Sequence, residues 1–306
     1  MRAPSGTQFE LALGDQRAVV AEVGGGLRTY SSGGRAVLDG YAEDELCSSG
    51  RGQLLLPWPN RIADGRYEFD GEAEQLPLDE PERGNAIHGL VRWEPWHVAA
   101  GASDSVTLEH LLHPRPGYPF TLALRARYSL DADGLSVCIE ATNVGAGPCP
   151  YGAGAHPYLA LGTGTVDGVT LQVPAETVLE ADEQGIPVSA RSVEGTAFDF
   201  REPRLIGSLV LDHCFGDLVR DDDGRARVRL GSGATLWADE SFGFLMVFTG
   251  DGLPDVARRS LAVEPMTCAP NAFRNGDGLI RLEPGETHTG RWGITPAPTR
   301  GRSPDR

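Results

Sequence analysis

Apolar and polar residues alternate through residues 120–130 (FTLALRARYSL), Asp131-Ala132-Asp133-Gly134 offers a turn, and residues 135–143 (LSVCIEATN) alternate again. A period of two puts every second side chain on one face of a strand, so this stretch predicts an antiparallel hairpin with one buried face. Residues 225–230, 234–238 and 244–248 repeat the theme between Gly-rich or acidic turns, and residues 261–264 form a short apolar strand that should end at Pro265. No long stretch has a helical period. With 40 glycines and 22 prolines as punctuation, the chain should be all-β, a large antiparallel sandwich or barrel with few short helices. No composition shift or linker divides it, and a β-sandwich of this size can be one unit. The expected organisation is a single domain over residues 1–295 followed by a flexible tail, residues 296–306, rich in Pro, Arg and Ser.

Charge and composition exclude several functions. The net charge of −16 would repel a phosphate backbone, so no nucleic-acid partner is expected. All 27 basic residues are arginine. The absence of lysine removes a Schiff base, a pyridoxal phosphate anchor and a Walker A loop. No apolar leader opens the sequence and no run approaches the roughly 20 apolar residues that span a bilayer, so a cytoplasmic protein without a membrane partner is the default. Five scattered cysteines without a C-x-x-C read as reduced structural thiols. The acidic run Asp221-Asp222-Asp223-Gly224 lacks the spaced ligands of a calcium loop and reads as a solvated hairpin turn.

Polar clusters interrupt this background: Asn60-Arg61, Asn85-Ala86-Ile87-His88-Gly89, His156-Pro157-Tyr158 and Glu264-Pro265. Each residue has a plain structural reading. His88 and His156 could be satisfied histidines at sheet ends, Glu264 a strand-end carboxylate paired with Arg258 or Arg259, and Asp212 a turn cap. Arg61 follows the apolar run 54–56 and two prolines that would press it inward, where it needs oxygen partners. Together, an arginine, two histidines and a carboxylate form an acid/base set suited to a neutral polyhydroxylated ligand, with no cofactor and no metal.

The set resembles the aldose 1-epimerases (galactose mutarotases). Asn60-Arg61, the Asn-x-x-His-Gly motif at 85–89, His156-Pro157-Tyr158, Asp212 and Glu264 stand in that family's order, and segments such as 23–27, 65–71 and 282–286 fit it too. The resemblance spans about residues 10–295. It implies a galactose mutarotase-like sandwich with an open cleft that acts on free aldoses without metal or nucleotide. It further implies Glu264 as general base, His156 as general acid, and Asn60, Arg61, His88, Tyr158 and Asp212 as sugar-binding residues. Leu90 follows Gly89 where galactose-acting members commonly have a second glycine.

Anomer interconversion removes the proton of the C1 hydroxyl while protonating the ring oxygen, so the hemiacetal opens, rotates and recloses. A carboxylate and an imidazolium can do both, which predicts Glu264 ionised and His156 protonated at rest, with Asp212 favouring the charged imidazole. Other readings remain at this level. A hexose-6-phosphate mutarotase would want arginines such as Arg66, Arg92 and Arg274 around the phosphate. A glycoside hydrolase would pair Glu264 with Asp212. A noncatalytic sugar-binding module would use Trp58, Trp93, Trp96 and Tyr158 as stacking surfaces. A metal-dependent cupin would need a His-x-His pair, and only His110 and His113 come near that spacing. A small-molecule sugar is the expected partner, and the chain is a monomer or homodimer.

Overall fold

The computed structural model describes residues 3–298 except 163 and 255. The tail expected at 296–306 falls largely outside them; its first residues, Pro296 to Pro298, are described, and the Pro298 carbonyl accepts a hydrogen bond from Arg35. Strands dominate, and the one α-helix among the described residues is Ala272–Asn275.

The predicted hairpin forms as strands Leu122–Asp131 and Gly134–Asn143, with Asp131 Oδ1 accepting the Asp133 and Gly134 amides in the turn. These strands lie inside a nine-stranded antiparallel sheet that also contains Ala226–Leu230, Thr235–Ala238 and Thr287–Thr295. An eight-stranded sheet holds Ala175–Ala181, Asp212–Leu218, Phe244–Phe248 and Ser260–Met266, then the short strands Gly154–Ala155 and Leu54–Leu55, with Tyr158–Ala160 also paired to Ser260–Met266. Val137 and Ile139 of the first sheet and Leu245, Val247, Leu261 and Val263 of the second belong to one continuous apolar cluster. Two sheets sharing a core make the β-sandwich. A four-stranded sheet, from Gln8–Leu13 to Arg35–Ala36, adds Leu11, Val20 and Tyr30 to the same core.

The strand expected to stop at Pro265 instead continues to Met266. Backbone amides alternate in direction along a strand. Val263 N–H donates to the Pro157 carbonyl and Thr267 N–H to that of Ala153, so the amide position of Pro265 faces the same neighbour. That neighbour is interrupted between Ala155 and Tyr158. Proline has no N–H to donate, and a position facing the end of a neighbouring strand tolerates it.

Candidate active site

One face of the eight-stranded sheet packs on the core and the other lines a cleft. Leu245, Val247, Leu261 and Val263 point to the core; the alternate positions Met246, Phe248 and Glu264 point the other way. Cross-strand register then spaces the cleft residues: Glu264 pairs with Met246, and Asp212 with Phe248, which pairs with Ala262 opposite Tyr158. Asn60, Arg61, His88, His156, Tyr158, Asp212 and Glu264 all line this cleft, whose volume is about 860 Å³. The segments that resemble a site in sequence are therefore one site in space.

His156 occupies the strand interruption opposite Glu264. Its Nε2 lies 3.4 Å from Glu264 Oε1, with both side chains almost fully buried. His156 Nδ1 and Glu264 Oε2 have no hydrogen-bond partner. The Tyr158 ring stacks on the imidazole at 5.0 Å and 7°, and its hydroxyl donates to the Ser49 carbonyl. Gly50 closes against the ring: its φ is +72°, and a Cβ there would sit 2.8 Å from His156 Cδ2. Tyr158, expected to bind sugar, thus also serves as the wall behind His156.

Burial reverses the charge state expected for this pair. Desolvation drives the His156 pKa down to about 3, helped by Arg92, Arg51 and Arg61. Desolvation, and after it the Asp212 charge, raises Glu264 well above the ordinary carboxylate range, while Arg61 opposes that rise. Burial therefore favours a neutral imidazole beside a protonated carboxyl. Asp212 acts on Glu264 rather than supporting an imidazolium at His156, and it lies 3.7 Å from Arg83. Neither Arg258 nor Arg259 pairs with Glu264; they pair with Asp251 and Asp39.

His88 has a defined tautomer. The Asn60 backbone N–H donates to His88 Nδ1 at 3.2 Å, and the His88 backbone N–H donates back to the Asn60 carbonyl. An accepting nitrogen carries no proton, so neutral His88 presents Nε2–H as a donor. Burial, followed by His156, Arg92 and Arg61, keeps it neutral. Asn60, His88 and Ser49 all have left-handed backbone, with φ of 54°, 61° and 53°, and all line the cleft. Such conformations concentrate where a site over-determines its geometry.

Arg61 is held by a residue that sequence reasoning missed. Glu80 accepts from Arg61 Nε and Nη2 at 2.8 and 2.9 Å. Burial opposes ionisation of Glu80, yet the hydrogen bonds from Arg61 and Asn85 hold its pKa below the usual range. The motif's Asn85 gives its amide to Glu80 and to the Gln184 carbonyl, so it braces Arg61 instead of facing a ligand. The spacing of Glu80 from Asn85 carries no motif. Only the pairing of strands Arg61–Ala63 and Asn85–Ile87 brings it to Arg61.

Other candidates separate. Trp58 and Trp96 are core residues, whereas Trp93 is half exposed at the cleft. Arg92 reaches the cleft bonded to Asp79, while Arg66 and Arg274 line a different recess, so the three arginines form no common phosphate pocket. His110 bonds the Pro95 carbonyl away from the cleft. All five cysteines are unpaired, four of them buried, and among the described residues no helix is long and apolar enough to cross a membrane. The run 221–224 makes a turn, with Asp221 and Asp223 bound to Arg227, but not the expected hairpin, because it links strand Asp212–Leu218 of the eight-stranded sheet to Ala226–Leu230 of the nine-stranded one.

Ligand atoms of His88, His156 and Glu264 lie within 4.8 Å of one another, a set that could chelate a transition metal. Chelation through His88 Nε2 would put the proton on Nδ1, against the Asn60 N–H. The donor chemistry favours an uncharged oxygen acceptor over a cation.

Comparison with known proteins agrees with this geometry. The family described as aldose 1-epimerase matches residues 8–295. The chain is 38% identical to the uncharacterized protein YihR of Escherichia coli, over 93% of this chain and 91% of that one. It is 33% identical to the aldose 1-epimerase of Escherichia coli, over 57% of this chain and 49% of that one. The fold resembles a GalM/aldose epimerase homologue from C. elegans (TM-score 0.84, 20% identity, 95% and 99% of the two chains). It also resembles a galactose 1-epimerase from Lactobacillus acidophilus (TM-score 0.80, 21% identity, 95% and 94%). From the strand register to the matched span, the chain belongs to the aldose 1-epimerase family.

Proposed function

We propose that the protein is a mutarotase that interconverts the α and β anomers of a free aldohexose. The observation that carries this reading is the single pair His156 Nε2 and Glu264 Oε1, 3.4 Å apart on the wall of an open cleft. The neutral pair and the ion pair contain the same number of protons, so the proton moves between them without exchange with solvent. A sugar hydroxyl that donates to Glu264 favours its carboxylate and sends the proton to His156. Glu264 then takes the C1 hydroxyl proton, His156 protonates the ring oxygen, and the ring opens. His88 Nε2–H steadies the ring oxygen, and Arg61, fixed by Glu80, binds hydroxyl oxygens without exchanging a proton. After rotation about C1–C2 the same transfers run backwards.

Tyr158, Asn60 and Asp212 complete the sugar contacts in this proposal, and no metal or cofactor is required. Free aldoses are favoured over 6-phosphates because each arginine of the cleft already faces a carboxylate, Arg61 with Glu80, Arg83 with Asp212 and Arg92 with Asp79. Polarimetry of freshly dissolved glucose, galactose and their 6-phosphates tests it. Faster equilibration of a free sugar supports the reading, a strong preference for a phosphate selects the sibling activity, and no acceleration of any aldose removes it.

A further inference from the structure

Arg51 lies outside the cleft, yet it is buried, and neither Nη1 nor Nη2 has a hydrogen-bond partner. Its ion partner is Asp39, at 3.6 Å, and that carboxylate is already engaged at 3.0 Å by Arg259. A buried cation so thinly compensated is costly, and an apolar side chain would fill the space at less cost. What Arg51 does touch is Tyr158: the guanidinium carbon stands 4.1 Å from the ring centre, and the same ring stacks on His156 at 5.0 Å.

The rest of the loop serves the same imidazole. Ser49 accepts the Tyr158 hydroxyl, Gly50 presses on the ring, Gly52 N–H donates to the His156 carbonyl, and the Gln53 carbonyl accepts the His156 N–H. We propose that Arg51 is a positioning residue for His156, supplying through Tyr158 a fixed charge and a rigid backing that set whether His156 or Glu264 carries their shared proton. The charged and titratable groups around His156 are Glu264 on the paired strand, His88, Arg61 and Arg92 across the cleft, and Arg51 behind Tyr158. Arg51 bears on His156, whereas Glu264 responds to Asp212 and Arg61.

This inference rests on the acid/base reading above, but its principal test does not need activity. The two stacking separations bound the distance from the guanidinium carbon to the imidazole centre at about 9 Å, where a unit charge in a protein shifts a titration by roughly one pH unit. In Arg51→Met, the midpoint of the His156 titration followed by imidazole ¹⁵N NMR should rise by about one pH unit from its wild-type value near 3. Arg51→Lys, which keeps the charge, should leave that midpoint near the wild-type value. Asp39→Asn, which removes the counter-charge, should move it the opposite way from Arg51→Met and covers the case in which Arg51→Met does not fold. Because the reacting form carries the proton on His156, mutarotation by Arg51→Met should show kcat raised by up to roughly tenfold with KM nearly constant. An unchanged midpoint in folded Arg51→Met, equal movement in Arg51→Lys, or no opposite movement in Asp39→Asn would overturn the proposal. Wild-type protein that fails to mutarotate any aldose would instead sink the functional reading while leaving the NMR result to stand alone.

Discussion

Strand Gly134–Asn143 of the nine-stranded sheet and strand Ser260–Met266 of the eight-stranded sheet are both antiparallel and both central, yet they use their side chains differently. In the first, Leu135, Val137, Ile139 and Ala141 are buried while Ser136, Cys138, Glu140 and Thr142 stay partly accessible. In the second every residue is buried. One face of each strand does the same work in the same core. The other face meets solvent in one sheet and a cleft in the other, and there a buried carboxyl, Glu264, replaces what alternation would leave wet. Function enters this sandwich where one sheet is covered on both sides.

The largest test of that contrast is Glu264→Gln, which keeps the shape and removes the proton carrier. Mutarotation should fall by about 10²–10⁴-fold, with far-ultraviolet circular dichroism unchanged; wild-type polarimetric rates would mean the cleft face is not the reacting one. Ile139→Ala should do the converse. It should lower stability by about 2–5 kcal/mol in denaturant unfolding and leave kcat and KM of the folded enzyme unaltered. Glu80→Gln should come next, raising KM roughly tenfold with a smaller change in kcat, because Arg61 loses its bidentate anchor. An effect confined to kcat would count against a ligand-holding role for Arg61.

The pH behaviour sharpens the comparison further. With His156 lowered to about 3, the acid limb of kcat/KM should fall well below an ordinary histidine's 6.5; a half-maximum near 6.5 would refute the buried neutral pair. Stability should respond as well. Between 4.5 and 6.5, the ordinary values of the two groups, unfolding turns a neutral pair into an ion pair with no net proton change, so their contribution is level there. Above 6.5 the unfolded chain has lost the proton that Glu264 retains, and stability should decline as pH rises. Below 4.5 the unfolded chain binds a proton that His156 refuses until about pH 3, and stability should decline as pH falls. Thermal melts of Glu264→Gln should lack the alkaline decline.

Much of this was legible in the sequence, and for definite reasons. The hairpin at 122–143 follows from a period of two, and the seven residues that share the cleft each sit beside a turn-forming or apolar neighbour that marks them. The end assigned at Pro265 was wrong because a proline's tolerance depends on its neighbour strand, which local pattern cannot show. Glu80 and Arg51 went unseen for a similar reason. Each acts only through a side chain brought to it by pairing between strands, and neither lies in a motif. The ionisation of His156 and Glu264 was misjudged because residue type does not reveal burial, and here burial outweighs their mutual attraction.

The imino acid at 265 has one more consequence. Any other residue there would add a backbone donor facing Ala155, the last residue of strand Gly154–Ala155 and the one that precedes His156. A bond formed there would draw that strand end onto Ser260–Met266 and shift the imidazole that follows it. The choice of residue beside the carboxyl is therefore tied to the strand end across from it, so that redesigning one position of this scaffold means reworking the other.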